Sequence, residues 1–150
     1  MSEDSQQRLR QLRASALAHP DDPAAAFRLA CALDGEGYER EAIPQYERAL
    51  GLGLCGDDRE AALINLGSSY RAVGEYARAV AIWRDAVLQF PENRALPVFL
   101  AMGLHNLGQH AGAAELLLRQ LAETSGDAWI ARYRRAILFY ADKLDRVWPG

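Results

Sequence analysis

The chain has 150 residues, half of them hydrophobic and a quarter charged, which is the composition of a packed domain rather than of a disordered segment. Its net charge of −3 gives no general attraction to nucleic acid or to an anionic membrane surface, and no apolar run reaches the length that crosses a bilayer. Two cysteines, Cys31 and Cys55, without a CxxC neighbour make no disulfide framework, and the polar start MSEDSQQRLR lacks the apolar core of a signal peptide, so the expectation is reduced thiols in a cytoplasmic protein.

In chain order, QQRLRQLRASALAHP (6–20) reads as one helix with Leu9, Leu12 and Ala16 inward and Pro20 closing it. Asp22 followed by Pro23 is an N-cap with proline at the first helical position, opening the helix that carries AAFRLACAL (25–33). GYEREAIPQYERAL (37–50) is the next helix. Pro44 lies inside it, removes a hydrogen bond to the carbonyl of Arg40, and is expected on the solvent side with a slight bend. Asp57 and Glu60 have capping-box spacing ahead of ALINLGSSYRAVG (62–74), and GEYARAVAIWRDAV (74–87) follows it.

Pro91 and Asn93 then separate off PVFLAMGLHNLG (97–108) and GQHAGAAELLLRQL (108–121). Asp127 is placed to cap a longer helix, DAWIARYRRAILFYADKLDR (127–146). Its apolar stripe is Ile130, Tyr133, Ile137, Tyr140 and Leu144, and its other face carries Arg132, Arg135, Asp142 and Arg146. Gly37, Gly74 and Gly108 mark tight turns, which make the helices on either side run antiparallel. The expectation is eight helices and no strand.

Three of these segments share one frame. In 37–50, 74–87 and 108–121 a glycine is followed five residues later by alanine (Ala42, Ala79, Ala113) and four after that by a large residue (Tyr46, Trp83, Leu117). The alanines are spaced by 37 and then 34 residues. The helices before them share a second frame: Leu29, Ala30, Leu33; Leu66, Gly67, Tyr70; Leu100, Ala101, Leu104. The small residues, with Ala49 and Ala86, let neighbouring helices approach, and the large ones fill the space between pairs. A period near 34 with helical patterning predicts an all-α chain, an α-solenoid of antiparallel helix pairs.

The same residues resemble the tetratricopeptide repeat. The segment 60–93 carries the pattern most fully, with Leu63, Leu66, Gly67, Tyr70, Gly74, Tyr76, Ala79, Trp83, Ala86 and Pro91. The third repeat departs from it at Pro97 and Gln120, which implies adapted packing, and the first at Ala26, with three extra residues before the second. The resemblance implies a right-handed superhelix with repeats at 23–56, 60–93 and 94–124, a half repeat at 4–20 and a capping helix at 127–146, together a single domain over 1–150. The whole chain is also similar to a family of short bacterial tetratricopeptide proteins of unassigned function, through YERALGLGLCGDDR (46–59) and RYRRAILFYADKL (132–144). That likeness implies a homodimer and brings no mechanism.

Chemistry-bearing motifs are sparse. Gly51, Gly53 and Gly56 satisfy GxGxxG but follow a helix instead of a strand, so they read as a helix C-cap and a flexible insertion. His105 and His110 are five apart across a turn, which sets them off one helix face, and no metal site is expected. No serine, cysteine or aspartate sits at a strand-to-helix turn, and Cys31 has no base beside it, so neither an enzyme nor a cofactor is expected. Arg132, Tyr133, Arg134 and Arg135 form a basic, aromatic cluster, but Asp127, Asp142, Lys143 and Asp145 share the helix, and pairing along it predicts a solvated charged face with no nucleic acid bound.

The resemblance further implies that the first helix of each pair lines a concave groove. The residues placed there are Ala24, Phe27, Cys31 and Asp34; then Ala61, Ile64, Asn65, Ser68 and Arg71; then Ala95, Val98, Phe99, Met102 and His105. Co-chaperone relatives hold a partner's C-terminal carboxylate with lysine, asparagine and arginine on these helices. Only Asn65 matches that set, since Phe27, Cys31, Ala95 and Phe99 occupy other places of it, so carboxylate capture is not expected. The expected function is a protein-interaction scaffold whose groove (Phe27, Cys31, Ile64, Asn65, Ser68, Arg71, Val98, Met102, His105) takes an apolar peptide or helix. Self-association is expected through Arg132, Phe139 and Trp148, since Phe139 falls off the inward stripe and Trp148 lies beyond the helix. The alternative is a purely self-assembling homodimer without a peptide ligand.

Overall fold

The structure, a computed structural model, describes residues 2–149. Among these described residues eight helices follow in order: α1 (Glu3–Ala18), α2 (Pro23–Gly35), α3 (Glu39–Gly51), α4 (Gly56–Ala72), α5 (Tyr76–Gln89), α6 (Ala95–Asn106), α7 (His110–Thr124) and α8 (Ala128–Tyr140). Among the described residues there is no strand. The chain divides into two compact units, one running to Ile82 and the other starting at Trp83.

Local chemistry sets the helix ends. The Asp22 carboxylate accepts from the Ala24 amide at 2.9 Å, with Pro23 at the first helical position. Asp127 accepts from the amides of Trp129 and Ile130 at 2.9 and 3.0 Å. Asn93 accepts from Ala95 and Leu96. The capping box expected at Asp57 is not formed. Helix α4 starts at Gly56, one residue earlier, because Gly53 and Gly56 take left-handed φ of 89° and 63° and bring the chain round sooner. Cys55 then sits at the cap position without a side-chain bond.

Gly37, Gly74 and Gly108 have φ of 81°, 85° and 75°. Each closes its helix with the same pair of bonds. After α6, for example, the Gly108 amide donates to the His105 carbonyl at 3.0 Å and the Gln109 amide to the Leu104 carbonyl at 2.9 Å.

In the first unit α2 packs against α3, α3 against α4, and α1 against α2. Its core holds Leu29, Ala30, Leu33, Ala42, Tyr46, Ala49, Leu66 and Tyr70, with Tyr46 wholly buried. Leu9 and Ala16 of α1 are buried with it, while Leu12 is half-buried. Pro44 lies inside α3 and is exposed, as expected.

In the second unit α6 packs on α7 and α7 on α8. Trp83 and Ala86 from the end of α5 are fully buried, with Leu96, Leu100, Ala101, Leu104 and Ala113. The Trp83 ring lies 5.7 Å from that of Phe99. Leu117 has the same place in the frame as Tyr46 and Trp83 but is 45% exposed.

The last helix is shorter than the expected 127–146. It ends at Tyr140, and the chain turns after it. The Lys143 ammonium caps the Phe139 carbonyl at 3.0 Å, and Trp148 folds back onto Phe139 and Tyr140. Leu144 therefore lies off the helix. No residue of α8 itself is buried, and Tyr133, Tyr140 and Leu144, expected inward, are about half-exposed.

Candidate interaction surfaces

Phe27, Ile64, Asn65, Ser68 and Arg71 are half-buried. Phe27 leans on Tyr46, ring to ring at 6.2 Å. Cys31 and Asn65 are drawn into a polar cluster that the sequence did not reveal. The Ser69 hydroxyl lies 2.9 Å from Asp34 Oδ1, and the Tyr46 hydroxyl lies 3.4 Å from Asp34 Oδ2 and 3.7 Å from Cys31 Sγ. The Asn65 amide nitrogen is 4.0 Å from that sulfur.

Burial raises the pKa of the Asp34 carboxyl above its ordinary value, against the donors Ser69 and Tyr46, which lower it. Burial likewise raises Cys31 and Tyr46, so the thiol stays protonated and un-nucleophilic. Tyr46 could be found from the repeat frame as a space-filler. Its hydroxyl partners could not, because Asp34 and Cys31 lie 12 and 15 residues away on α2, and the Ser69 that shares Asp34 belongs to α4 and was singled out by no pattern.

A second cluster in this unit joins Tyr70, Glu47, Glu75 and Arg78. The Tyr70 hydroxyl donates to Glu47. Arg78 pairs with Glu47 at 2.9 Å and Glu75 at 2.8 Å, and covers the Tyr70 ring at 4.1 Å. Burial, then the bond to Glu47, pushes the Tyr70 hydroxyl up to about 12.

In the second unit Val98 and Phe99 are half-buried, while His105 and Met102 are exposed, Met102 to 38%. His105 meets His110 with Nδ1 atoms 3.1 Å apart. The five-residue spacing therefore brings these rings together instead of separating them, because the Gly108 turn reverses the chain between them.

The surface of α8 is aromatic and basic. Trp129 is 63% exposed and stacks on Tyr133 at 6.4 Å, with the Arg132 guanidinium 5.1 Å above the Trp129 ring. Phe139, 50% exposed, stacks on Trp148 at 5.8 Å, and Arg146 covers Trp148 at 4.0 Å. Arg134 donates to the Ala122 carbonyl at 2.8 Å. Of the pairing expected along this segment, the Asp142–Lys143 pair forms. It holds the Asp142 carboxyl below the usual range, while Asp127 is spent on the cap. Phe139 and Trp148 thus share one cluster, and Arg132 belongs to the other end of α8.

Among the described residues no helix is long and apolar enough to cross a membrane, and no group of three or more metal-ligating side chains is assembled.

Antiparallel helix pairs joined by glycine turns, with small residues at the contacts and large ones between, define a helix-pair repeat protein of the kind that supports protein–protein interaction. The family model described as Tetratrico peptide repeat matches residues 23–144, and the chain belongs to that family. The solved structure described as "MamA RS-1 ArsTM double mutant" is similar in fold, with a TM-score of 0.64 and 15% identity over 94% of this chain and 86% of that one. No curated protein matches the chain.

Proposed function

We propose that this chain is a cytoplasmic scaffold that binds an apolar peptide or helix on its first-helix faces. The observation that supports this most directly is that Phe27 and Ile64 in the first unit, and separately Val98 and Met102 in the second, keep part of their surface open while core residues of the same helices are fully packed. Apolar side chains at helical spacing offer anchor points for an amphipathic partner, and Ser68 and Arg71 beside Ile64 supply polar contacts that fix its backbone or charged end. Binding is the role this reading assigns to the cluster as well: burial favours the Cys31 thiol, whose hydrogen-bond partners are Tyr46 and Asn65.

The test is selection of peptides from a displayed random library on the wild-type chain. Each recovered peptide is then titrated against Ile64→Asp and Met102→Asp, singly and together. The reading predicts apolar peptides whose affinity falls at least about tenfold, since a charge would have to be buried at the contact. A folded double variant that binds every recovered peptide at wild-type affinity removes it.

A second reading, self-association, is favoured by α8, no residue of which is buried. Five large rings on α8 and its tail remain about half-exposed: Trp129, Tyr133, Phe139, Tyr140 and Trp148. Grouped aromatic surface of this kind marks contact sites. Light scattering across a wide concentration range should give a dimer for the wild type and a monomer for Phe139→Ser with Trp148→Ser. A wild-type monomer at every concentration rejects this reading and leaves the peptide site untouched.

A further inference from the structure

We propose that His105 and His110 form a two-imidazole chelate for a first-row divalent cation of the zinc type, with both Nδ1 atoms as ligands. His105 sits in the last turn of α6 and His110 is the first residue of α7. Their Nδ1 atoms are 3.1 Å apart, and the rings lie at 55° with centroids 4.8 Å apart. Two ligands bound tetrahedrally at about 2.0–2.1 Å from zinc stand about 3.3–3.4 Å from each other. The pair therefore needs to open by only a few tenths of an ångström to admit the ion.

The present contact is a hydrogen bond in which one Nδ1 carries a hydrogen and the other offers its lone pair. A cation takes the place of that hydrogen. The donor ring moves its proton from Nδ1 to Nε2 through solvent, both rings stay neutral, and no net proton is released.

The backbone under the pair is fixed before metal arrives. Gly108 at φ 75° turns the chain, and the bonds from Gly108 to His105 and from Gln109 to Leu104 hold the α6 end. The Ala113 amide donates to the Gln109 carbonyl at 3.1 Å, and the Gln109 side chain is held by Arg84 at 3.2 Å. Only two side-chain rotors per ligand have to settle, so ordering costs little. Both histidines are exposed. The two remaining tetrahedral positions thus face solvent, where water or a ligand atom of a bound protein can complete the shell. Imidazole nitrogen suits zinc, nickel and copper and disfavours magnesium and calcium.

The test uses the full chain with Cys55→Ser, which removes an exposed thiol that would itself bind zinc. Zinc sulfate is titrated calorimetrically at neutral pH, and the imidazole nitrogens are followed by long-range nitrogen–proton spectra. The expected result is one zinc per chain with coordination shifts at Nδ1 of both rings. Affinity should fall at least about tenfold in His105→Ala and in His110→Ala, each of which removes one of two ligands, and stay unchanged in His19→Ala, the third histidine. His110→Gln, which keeps a polar residue at the helix start, should lose zinc in the same way, so a fault in folding is told apart from loss of a ligand. The proposal is overturned by no zinc uptake at millimolar metal, by binding that survives loss of either histidine, or by shifts confined to Nε2.

Discussion

Replacing Tyr46 by phenylalanine removes one oxygen from the centre of the first unit and leaves the buried ring, with its contact to Phe27, in place. The hydroxyl serves Asp34 Oδ2 at 3.4 Å and Cys31 at 3.7 Å, both longer than a strong O–H···O bond. The loss at pH 7 is therefore set below the range for a bond to a charged group, near the value of an ordinary hydrogen bond, about 1 kcal/mol. The pH dependence is the sharper expectation. Burial raises the folded-state pKa of Asp34, so its contribution to stability is complete below about pH 3.9, the ordinary value for the unfolded chain, and is lost as pH rises through the folded value. Tyr46 opposes that loss by donating to the carboxylate. Without its hydroxyl the folded pKa rises further, so the variant's deficit grows as Asp34 ionises: about 1 kcal/mol at pH 7 and about half that or less at pH 4. Urea unfolding followed by far-ultraviolet circular dichroism gives the difference, and hydrogen exchange in α2–α4 localises it. All three tryptophans lie at or beyond residue 83, in the second unit, so their fluorescence does not report on this site. An equal deficit at pH 4 and pH 7, or a pH-dependent deficit that persists in an Asp34→Asn background, would refute the assignment of the hydroxyl to the carboxylate.

Two further comparisons test local chemistry. Gly74→Ala meets no atom within 4 Å but forces a side chain onto φ of 85°, and should cost about 1–2 kcal/mol; Gly35→Ala, also in open space but with an ordinary helical φ, should stabilise by about 0.4–1 kcal/mol, both read from thermal or urea unfolding. Asp127→Ala removes two capping bonds and should cost about 1 kcal/mol with faster amide exchange at the start of α8, whereas Asp57→Ala, inside α4 rather than at its cap, should lose only a few tenths; equal losses would restore the capping box at Asp57.

The fold was readable where the information is local. Asp22, Asp127 and the glycines at 37, 74 and 108 act through their own backbone neighbours, and the frame of small and large residues repeats the same packing positions from pair to pair, so Ala42, Tyr46, Ala79 and Trp83 are all fully buried. Leu117 occupies the same frame position yet stays open, because what covers a second helix is the pair after it, and α8 alone covers α7 only in part. The end of α8 was unreadable for a similar reason. ADKLDR contains no glycine or proline, and the stop comes from Lys143 on the Phe139 carbonyl and Trp148 on the last two rings. The Asp34 cluster and the histidine pair also depend on tertiary placement, one across three helices and the other across a reversal of the chain.

The exposed surface of α8 and its tail is built of rings, with Arg132 laid over Trp129, which keeps apolar surface under a charged cover. That composition fixes the salt dependence of any contact made there. Residues 128–140 carry Arg132, Arg134 and Arg135 and no acid, and the four charges of the following segment, Asp142, Lys143, Asp145 and Arg146, sum to zero. In a two-fold contact each copy presents this same surplus of three positive charges to the other. Salt screens that repulsion, with the screening length falling from about 10 Å at 0.1 M to about 3 Å at 1 M, while the burial of the rings persists. Self-association through paired α8 faces should therefore tighten as sodium chloride rises from about 50 mM to about 500 mM, measured by sedimentation velocity, and Arg135→Glu should tighten it at low salt. Association that weakens with salt would mean that α8 meets an acidic surface, and the contact would then be head-to-tail or with another protein, not two copies of this helix face to face.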